Sequence, residues 1–82
     1  MDIKILGTGC ARCHQLEKSV REVIKELGVD ATLEEVKDIT KIMEYPILAT
    51  PGLVIDEKVV VAGFVPPVEK LKEILLAHRS PQ

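Results

Sequence analysis

The sequence predicts an α/β fold in which a four-stranded mixed sheet carries helices on both faces. Short β-branched runs alternate with longer stretches whose apolar residues recur every three or four positions, the spacing of an amphipathic helix. Two of the short runs follow each other across a polar turn, which is typical of a hairpin. The predicted order of elements is βαβαββα. We expect residues 1–82 to form a single domain, with residues 79–82 as a flexible tail.

The first half of the chain predicts a strand, a helix and a second strand. An apolar run at residues 3–6 leads through a Gly-Thr-Gly turn into a helix from Ala11 to about Leu27, which Gly28 ends. One helix face is apolar. Its residues are Leu16, Val20, Val23, Ile24 and Leu27. A strand at residues 31–36 follows, parallel to the first because a right-handed crossover joins them.

The second half predicts a short helix, a hairpin and a last helix. Asp38 is the expected N-cap of the short helix, which ends near Tyr45 and places Met43 in the core. Residues 53–55 and 59–62 form the hairpin, joined at residues 56–58. The last helix begins at about Pro67. Along one side of it lie Val68, Leu71, Ile74, Leu75 and His78.

Composition excludes several classes of function. Hydrophobic residues make up 46% and charged residues 29%, as in an ordinary globular protein, while Tyr45 and Phe64 are the only aromatics and are expected to pack in the core. A net charge of −2 gives no basic surface for nucleic acid. No run approaches the roughly 20 apolar residues of a membrane span, and no secretory signal is recognisable. We therefore expect a cytoplasmic protein without nucleic-acid or membrane partners.

Cys10 and Cys13 are the only two cysteines, and they lie where the first strand gives way to the first helix. A thiol in the first turn meets unpaired backbone N–H groups and the positive end of the helix dipole, and both favour the thiolate. Cys13 shares the apolar face of Leu16 and Val20, whereas Cys10 is left at the exposed helix mouth. Such a pair can exchange disulfides or bind a soft metal.

The surrounding residues resemble those of small glutaredoxin-like proteins in the thioredoxin superfamily, the minimal redox-active-disulfide type of archaea and bacteria. The matching pieces are Thr8-Gly9-Cys10-Ala11-Arg12-Cys13 after the first strand, Thr50-Pro51 before the third and Gly63 after the fourth. They cover nearly the whole chain in order and spacing. The resemblance implies a thioredoxin-like fold and a thiol–disulfide oxidoreductase.

The resemblance also implies roles for particular residues. The exposed position of Cys10 suits an attacking thiol and the shielded position of Cys13 suits a resolving one, and the resemblance implies that a cis Pro51 lies beside the pair and that the backbone of Thr50 binds substrate. Arg12, Thr8, Gly9 and Gly63 would flank the site. Arg12 is placed to favour the thiolate of Cys10, or it is a solvated first-turn side chain; His14 fits the solvated description better.

Two departures from the family pattern limit what the resemblance implies. Thioredoxins often have a buried acid six residues before the first cysteine, and Lys4 occupies that position here. The proton acceptor for Cys13 is therefore not identified by the resemblance. Glutathione recognition is not carried over either, because Gly63 is followed by Phe64-Val65-Pro66-Pro67.

Soft-metal binding or carriage of Cu(I) or Zn by the same cysteines is the alternative function. Heavy-metal carrier domains also place C-x-x-C between a strand and a helix, but they end on a strand and have a Met shortly before the first cysteine. This chain ends on a helix, and two cysteines with His14 do not complete a closed zinc site.

We predict a monomeric oxidoreductase with no cofactor and no metal site, acting on protein disulfides and re-reduced by a thioredoxin-reductase-like flavoprotein.

Overall fold

The computed structural model describes residues 1–9, 11–47 and 49–78, and it confirms the predicted order of elements. In this part of the chain four strands and three helices are present. They are β1 (Asp2–Leu6), α1 (Ala11–Leu27), β2 (Thr32–Val36), α2 (Ile39–Ile42), β3 (Gly52–Ile55), β4 (Lys58–Ala62) and α3 (Val68–His78). Cys10 and the predicted tail at residues 79–82 lie outside the described residues.

The four strands form one mixed sheet in the order β2-β1-β3-β4. The first two strands run parallel, as the crossover through α1 predicts, and both other pairings are antiparallel. The β3–β4 ladder contains an irregularity, because Leu53 pairs with Val61 and Val54 pairs with Val59. Val60 is therefore the extra residue of a β-bulge, a feature that increases the local twist of the strand pair.

The hairpin turn is shorter than the sequence predicts. Only Asp56 and Glu57 lie in it, and Lys58 begins β4. Both turn residues have positive φ, 49° and 68°, and two successive positive φ angles are the requirement of a type I′ turn, whose twist matches that of the flanking strands. Asp2 anchors the turn, since its backbone N–H donates to Asp56 Oδ1 at 2.9 Å and its carbonyl accepts from Asp56 N at 2.8 Å.

Helices α1 and α3 cover one face of the sheet and bury the larger core cluster. The spacing of apolar residues in both helices predicts this face correctly. The buried residues of the cluster are Ile3, Ile5, Leu16, Val20, Val23, Leu53, Ile55, Val61, Leu71 and Leu75. Side chains alternate across a strand, so Ile3 and Ile5 face these helices while Lys4 and Leu6 face the other way.

The second face carries α2 and a smaller cluster of Leu6, Val36, Ile42 and Val54. Asp38 caps α2 as predicted, accepting a hydrogen bond from Thr40 N at 2.9 Å. The helix ends at Ile42, before the predicted Tyr45. Helices on both faces confirm the predicted architecture.

The prediction that Met43 and Phe64 lie in the core is wrong. Met43 is 77% exposed, because Ile42 alone of the two turns towards the sheet, and Phe64 is 55% exposed on the segment after β4. Strand β1 begins one residue earlier than predicted, at Asp2, and β2 begins one residue later, at Thr32. Within the described residues, no helix is both long and apolar enough to cross a membrane.

Candidate functional site

Cys13 lies in the first turn of α1 and is 5% exposed. It shares the buried face of the helix with Leu16 and Val20, as the spacing of these residues predicts. Cys10, predicted at the exposed mouth of the same helix, lies outside the described residues. The structure therefore gives the position of one of the two cysteines, and that thiol is shielded from solvent by the protein.

Gly7 determines how Cys13 is packed. A Cβ atom built on Gly7 would overlap Cys13 Sγ and would lie 2.9 Å from Cys13 Cβ, closer than real Cβ contacts come. The backbone of this segment is fixed by a hydrogen bond from Gly7 N to Val36 O of 3.0 Å. Glycine is thus required at the end of β1 so that the cysteine side chain can lie against the backbone.

A shallow groove opens beside this packed thiol. The residues that line it are Ile5, Gly7, Gly9, Cys13, His14, Glu35 and Lys37. One wall is the first turn of α1 and the other is the carboxyl end of β2. The groove brings a cysteine, a histidine and a carboxylate to one place at the end of the sheet.

Charged groups surround the imidazole of His14. The ligand atoms of His14, Glu17 and Glu35 all lie within 4.8 Å of one another. Each carboxylate also has a cation: Glu35 Oε2 lies 3.3 Å from Lys37 Nζ, and Glu17 Oε1 accepts from Arg21 Nε at 2.9 Å. The three groups have donor types that a metal ion could use, and each of the two carboxylates is also paired with one of these cations.

The peptide bond between Thr50 and Pro51 is cis, the geometry that the resemblance implies. Pro51 is buried and Thr50 is exposed. Pro51 O accepts a hydrogen bond from Gly63 N at 2.8 Å, so the segment before β3 and the segment after β4 are joined at this end of the sheet. Gly63 has φ of +86°, and a Cβ there would lie 3.2 Å from Ala49 Cβ, so both its conformation and its surroundings favour glycine.

The remaining predicted flanking residues lie on the turn and the first helical residues. Thr8 and Gly9 are exposed, and Gly9 has φ of +91°. Arg12 is exposed as well, and its side chain lies on the solvent side of α1. Of these three, Gly9 lines the groove beside Cys13.

Lys4, at the position where thioredoxins often have a buried acid, extends away from the groove. Its Nζ donates to Glu57 Oε1 at 2.7 Å and to Tyr45 Oη at 3.3 Å, on the α2 side of the sheet. The hydrogen bonds with Glu57 and Tyr45 raise the pKa of Lys4 above its ordinary value. The same hydrogen bond with Lys4 lowers the pKa of Glu57. This cluster ties β1 to the hairpin turn and is separate from the cysteine.

Sequence reasoning missed Glu35 and Lys37 as residues of the site. The signal was present in β2, where the strand alternation places Glu35 on the same face as Leu33, which packs against the larger core. A carboxylate on the core-facing side at the carboxyl end of a strand is unusual enough to be noticed. The double acid Glu34-Glu35 instead obscures the alternation of the strand, since Glu34 faces the opposite way.

The fold and the buried cysteine at the start of α1 define a thioredoxin-like protein, and comparison with known proteins agrees. The thioredoxin domain family model matches residues 1–76. A thioredoxin of Methanothermobacter thermautotrophicus is 47% identical over 75 residues, which are 92% of this chain and 97% of that protein. A thioredoxin of Methanocaldococcus jannaschii is 40% identical over 76 residues, 93% of this chain and 87% of that protein. The chain belongs to the thioredoxin domain family, whose general role is thiol–disulfide redox chemistry.

Proposed function

We propose that this protein is a dithiol–disulfide oxidoreductase in which Cys10 attacks a partner disulfide and Cys13 resolves the product. Membership of the thioredoxin domain family supports redox chemistry in general. The observation that carries the finer assignment is the burial of Cys13 in the first turn of α1. A thiol shielded in this way suits an intramolecular step better than an encounter with a large substrate.

The reaction transfers two electrons from the cysteine pair to the partner. The Cys10 thiolate forms a bond to one sulfur of the partner disulfide, and the other partner sulfur leaves with the electron pair and takes up a proton. Cys13, deprotonated, then bonds to Cys10 Sγ and displaces the second partner sulfur as a thiolate. The products are the Cys10–Cys13 disulfide and a reduced partner dithiol.

Substrate would bind across the end of the sheet that carries Thr50 and Pro51. Thr50 is exposed, and the backbone beside it is held in place by the Gly63–Pro51 hydrogen bond, so its polar backbone groups are available to an extended peptide. The Gly9 turn allows a partner chain to approach the helix mouth. Arg12 and Thr8 would lie at the rim of this surface.

The physiological partners follow from the same proposal. Protein disulfides are the substrates, and a thioredoxin-reductase-like flavoprotein regenerates the dithiol. We place the monomeric protein in the cytoplasm, where close cysteine pairs are more often catalytic than structural.

Trapping of mixed disulfides tests the division of labour between the cysteines. The Cys13→Ser variant keeps the attacking thiol without the resolving one, so it should accumulate a covalent complex with a model protein disulfide that dithiothreitol releases. The Cys10→Ser variant should give none, and the wild-type protein with a regenerating dithiol should turn the substrate over. Trapping by Cys10→Ser instead would reverse the roles.

A copper competition experiment tests the alternative function, soft-metal carriage. The reduced, metal-free protein is given one equivalent of Cu(I) in the presence of a strong chelator. An oxidoreductase should lose the copper to the chelator and retain disulfide turnover. Stoichiometric retention of copper together with absence of turnover would make the protein a metal carrier.

A further inference from the structure

A resolving thiol needs a group that takes its proton. A thiol with an ordinary pKa of about 8.5 is roughly 3% ionised at pH 7, and only the thiolate attacks a disulfide. The residue that occupies the usual position of a buried acid, Lys4, cannot accept a proton while it is charged. It also lies on the other face of the sheet, bound to Glu57 and Tyr45. A different group must serve Cys13.

Among the described residues, the groove beside Cys13 contains three titratable side chains besides the thiol: those of His14, Glu35 and Lys37. The Lys37 ammonium has no lone pair to offer. The Glu35 carboxylate is paired with Lys37 at 3.3 Å, and a carboxylate is several pKa units too acidic to hold a thiol proton at neutral pH. Of the three groups, an imidazole is the one with a nitrogen lone pair basic enough to accept a thiol proton.

We infer that His14 accepts the proton of Cys13 during resolution, with Glu35 and Glu17 stabilising the imidazolium that forms. This inference rests on the proposed function. One carboxylate oxygen of each acid lies within 4.8 Å of an imidazole nitrogen; Glu35 is contributed by β2 and Glu17 by the next turn of α1. Opposite charges at this range favour the protonated ring. Glu35 and Glu17 are thus positioning residues that act through His14.

Protons and electrons balance in this step. As Cys13 Sγ bonds to Cys10 Sγ, its proton passes to the imidazole directly or through one groove water. The bond between Cys10 and the partner sulfur breaks, and its electron pair leaves on that sulfur. The imidazolium then returns the proton to the departing thiolate or to solvent, because His14 is exposed at the edge of the groove. Each turnover therefore restores the neutral ring.

The other charges that face His14 determine how the step depends on pH. On α1 they are Glu17 and its partner Arg21, and on β2 they are Glu35 and its partner Lys37. The neutral imidazole is the active form, so the rate of resolution should rise with pH and pass through an inflection. Removing Glu35 should move that inflection to lower pH, whereas removing Lys37 should move it to higher pH.

A chromogenic aryl disulfide used as the substrate separates the two steps in one rapid-mixing trace. Attack by the first thiolate releases one equivalent of coloured aryl thiolate, and displacement by Cys13 releases the second. His14→Gln should leave the first phase unchanged and slow the second at pH 7. The expected loss is about 10²-fold, the lower end of what a positioned general base contributes. The two proteins should converge at high pH, where the thiol ionises unaided.

Variants that change the charge near His14 distinguish a proton acceptor from a residue that only supports the structure. If His14 had only a structural role, these variants would not shift the pH profile of the second phase. Glu35→Gln should shift the inflection of the second phase to lower pH, and Lys37→Gln should shift it to higher pH. Glu34→Gln is the matched control, because this exposed carboxylate lies on the opposite face of β2, and its profile should equal that of the wild-type protein.

The outcomes also separate this inference from the proposed function. A wild-type protein that releases only one equivalent, or none, contradicts resolution by Cys13 itself. Release of both equivalents, with a second phase in His14→Gln equal to wild type from pH 6 to pH 9, would show that another group takes the proton. An inflection unchanged by both Glu35→Gln and Lys37→Gln would exclude Glu35 as a partner of the imidazole.

Discussion

Gly7 and Cys13 are packed so closely that any side chain on Gly7 would occupy the position of Cys13 Sγ. The glycine at the end of β1 therefore creates the space in which the buried thiol lies. Because the first turn of α1 follows within a few residues, this contact fixes the helix against the strand as well as the cysteine within the helix.

We expect Gly7→Ala to displace Cys13 and to cost stability. Forcing a methyl group into an occupied site typically costs about 1–3 kcal/mol. Chemical denaturation should show the loss, and the rate at which an alkylating reagent modifies Cys13 in the Cys10→Ser background should rise. Gly9→Ala is the control, since a Cβ there meets nothing within 4 Å and only the backbone conformation resists it. Equal alkylation rates in both variants would contradict the account.

Gly63→Ala should destabilise the protein by roughly 1–2 kcal/mol, because an L-residue is forced into positive φ. Ala49 Cβ, 3.2 Å from the new methyl group, adds crowding. Asn tolerates positive φ better than Val does, so Gly63→Asn should lose less stability than Gly63→Val in thermal denaturation. A smaller loss of stability in Gly63→Val than in Gly63→Asn would contradict the positive-φ requirement at this position.

Ile42 and Met43 are neighbours in sequence with opposite environments, 4% and 77% exposed. Ile42→Ala should cost about 2–5 kcal/mol through the lost contacts and the cavity. Met43→Ala should change the free energy of unfolding by less than about 0.5 kcal/mol, as is usual for surface positions. The denaturant midpoints of the two variants measure this difference. A large loss of stability in Met43→Ala would contradict the exposed position and agree with the sequence-based prediction that Met43 is buried.

The Lys4–Glu57 ion pair should make stability depend on pH. The pKa of Glu57 is lowered in the folded state, so its contribution is present above its ordinary value of 4.5 and is lost as pH falls through the folded pKa. The pKa of Lys4 is raised, so its contribution persists below 10.5 and is lost only at still higher pH. Glu57→Gln should therefore lower the melting temperature at pH 7.

At a pH below the folded pKa of Glu57 the Glu57→Gln variant should melt at the wild-type temperature. The side chain at position 57 is then neutral in both proteins, because the wild-type carboxyl group is protonated. The pair is exposed, so the difference at pH 7 should shrink as salt is added. Glu22→Gln serves as the control, because it removes one exposed carboxylate from α1, on the other face of the sheet. A difference between Glu57→Gln and wild type that is independent of pH would exclude the ion pair as its cause.

Much of this architecture is predictable because the signals are local. The helical spacing of Leu16 and Val20 determines the buried face of α1, and the same face predicts the burial of Cys13. The positions of α2 and the hairpin follow from Asp38 as a cap and from the β-branched runs of β3 and β4. These features depend on residues close together in sequence, where propensity and periodicity act directly.

The groove is less predictable because it depends on contacts between distant residues. His14 and Glu35 are separated by an entire helix and meet only because β2 lies beside β1 in parallel. The strand alternation that would place Glu35 on the helix-facing side is obscured by Glu34. Likewise, the exposure of Met43 depends on where α2 ends, and a four-residue helix has too few turns to define a face from sequence.

The reduction potential of the cysteine pair tests the central claim most directly. The reduced protein is equilibrated in a series of glutathione buffers, and the fraction oxidised is read after alkylation. We predict a reversible two-electron transition with a midpoint between about −270 and −120 mV, the span of thiol–disulfide exchange proteins. The transition should disappear in Cys10→Ser and in Cys13→Ser. A wild-type protein that forms no intramolecular disulfide at any potential in the series would contradict the account.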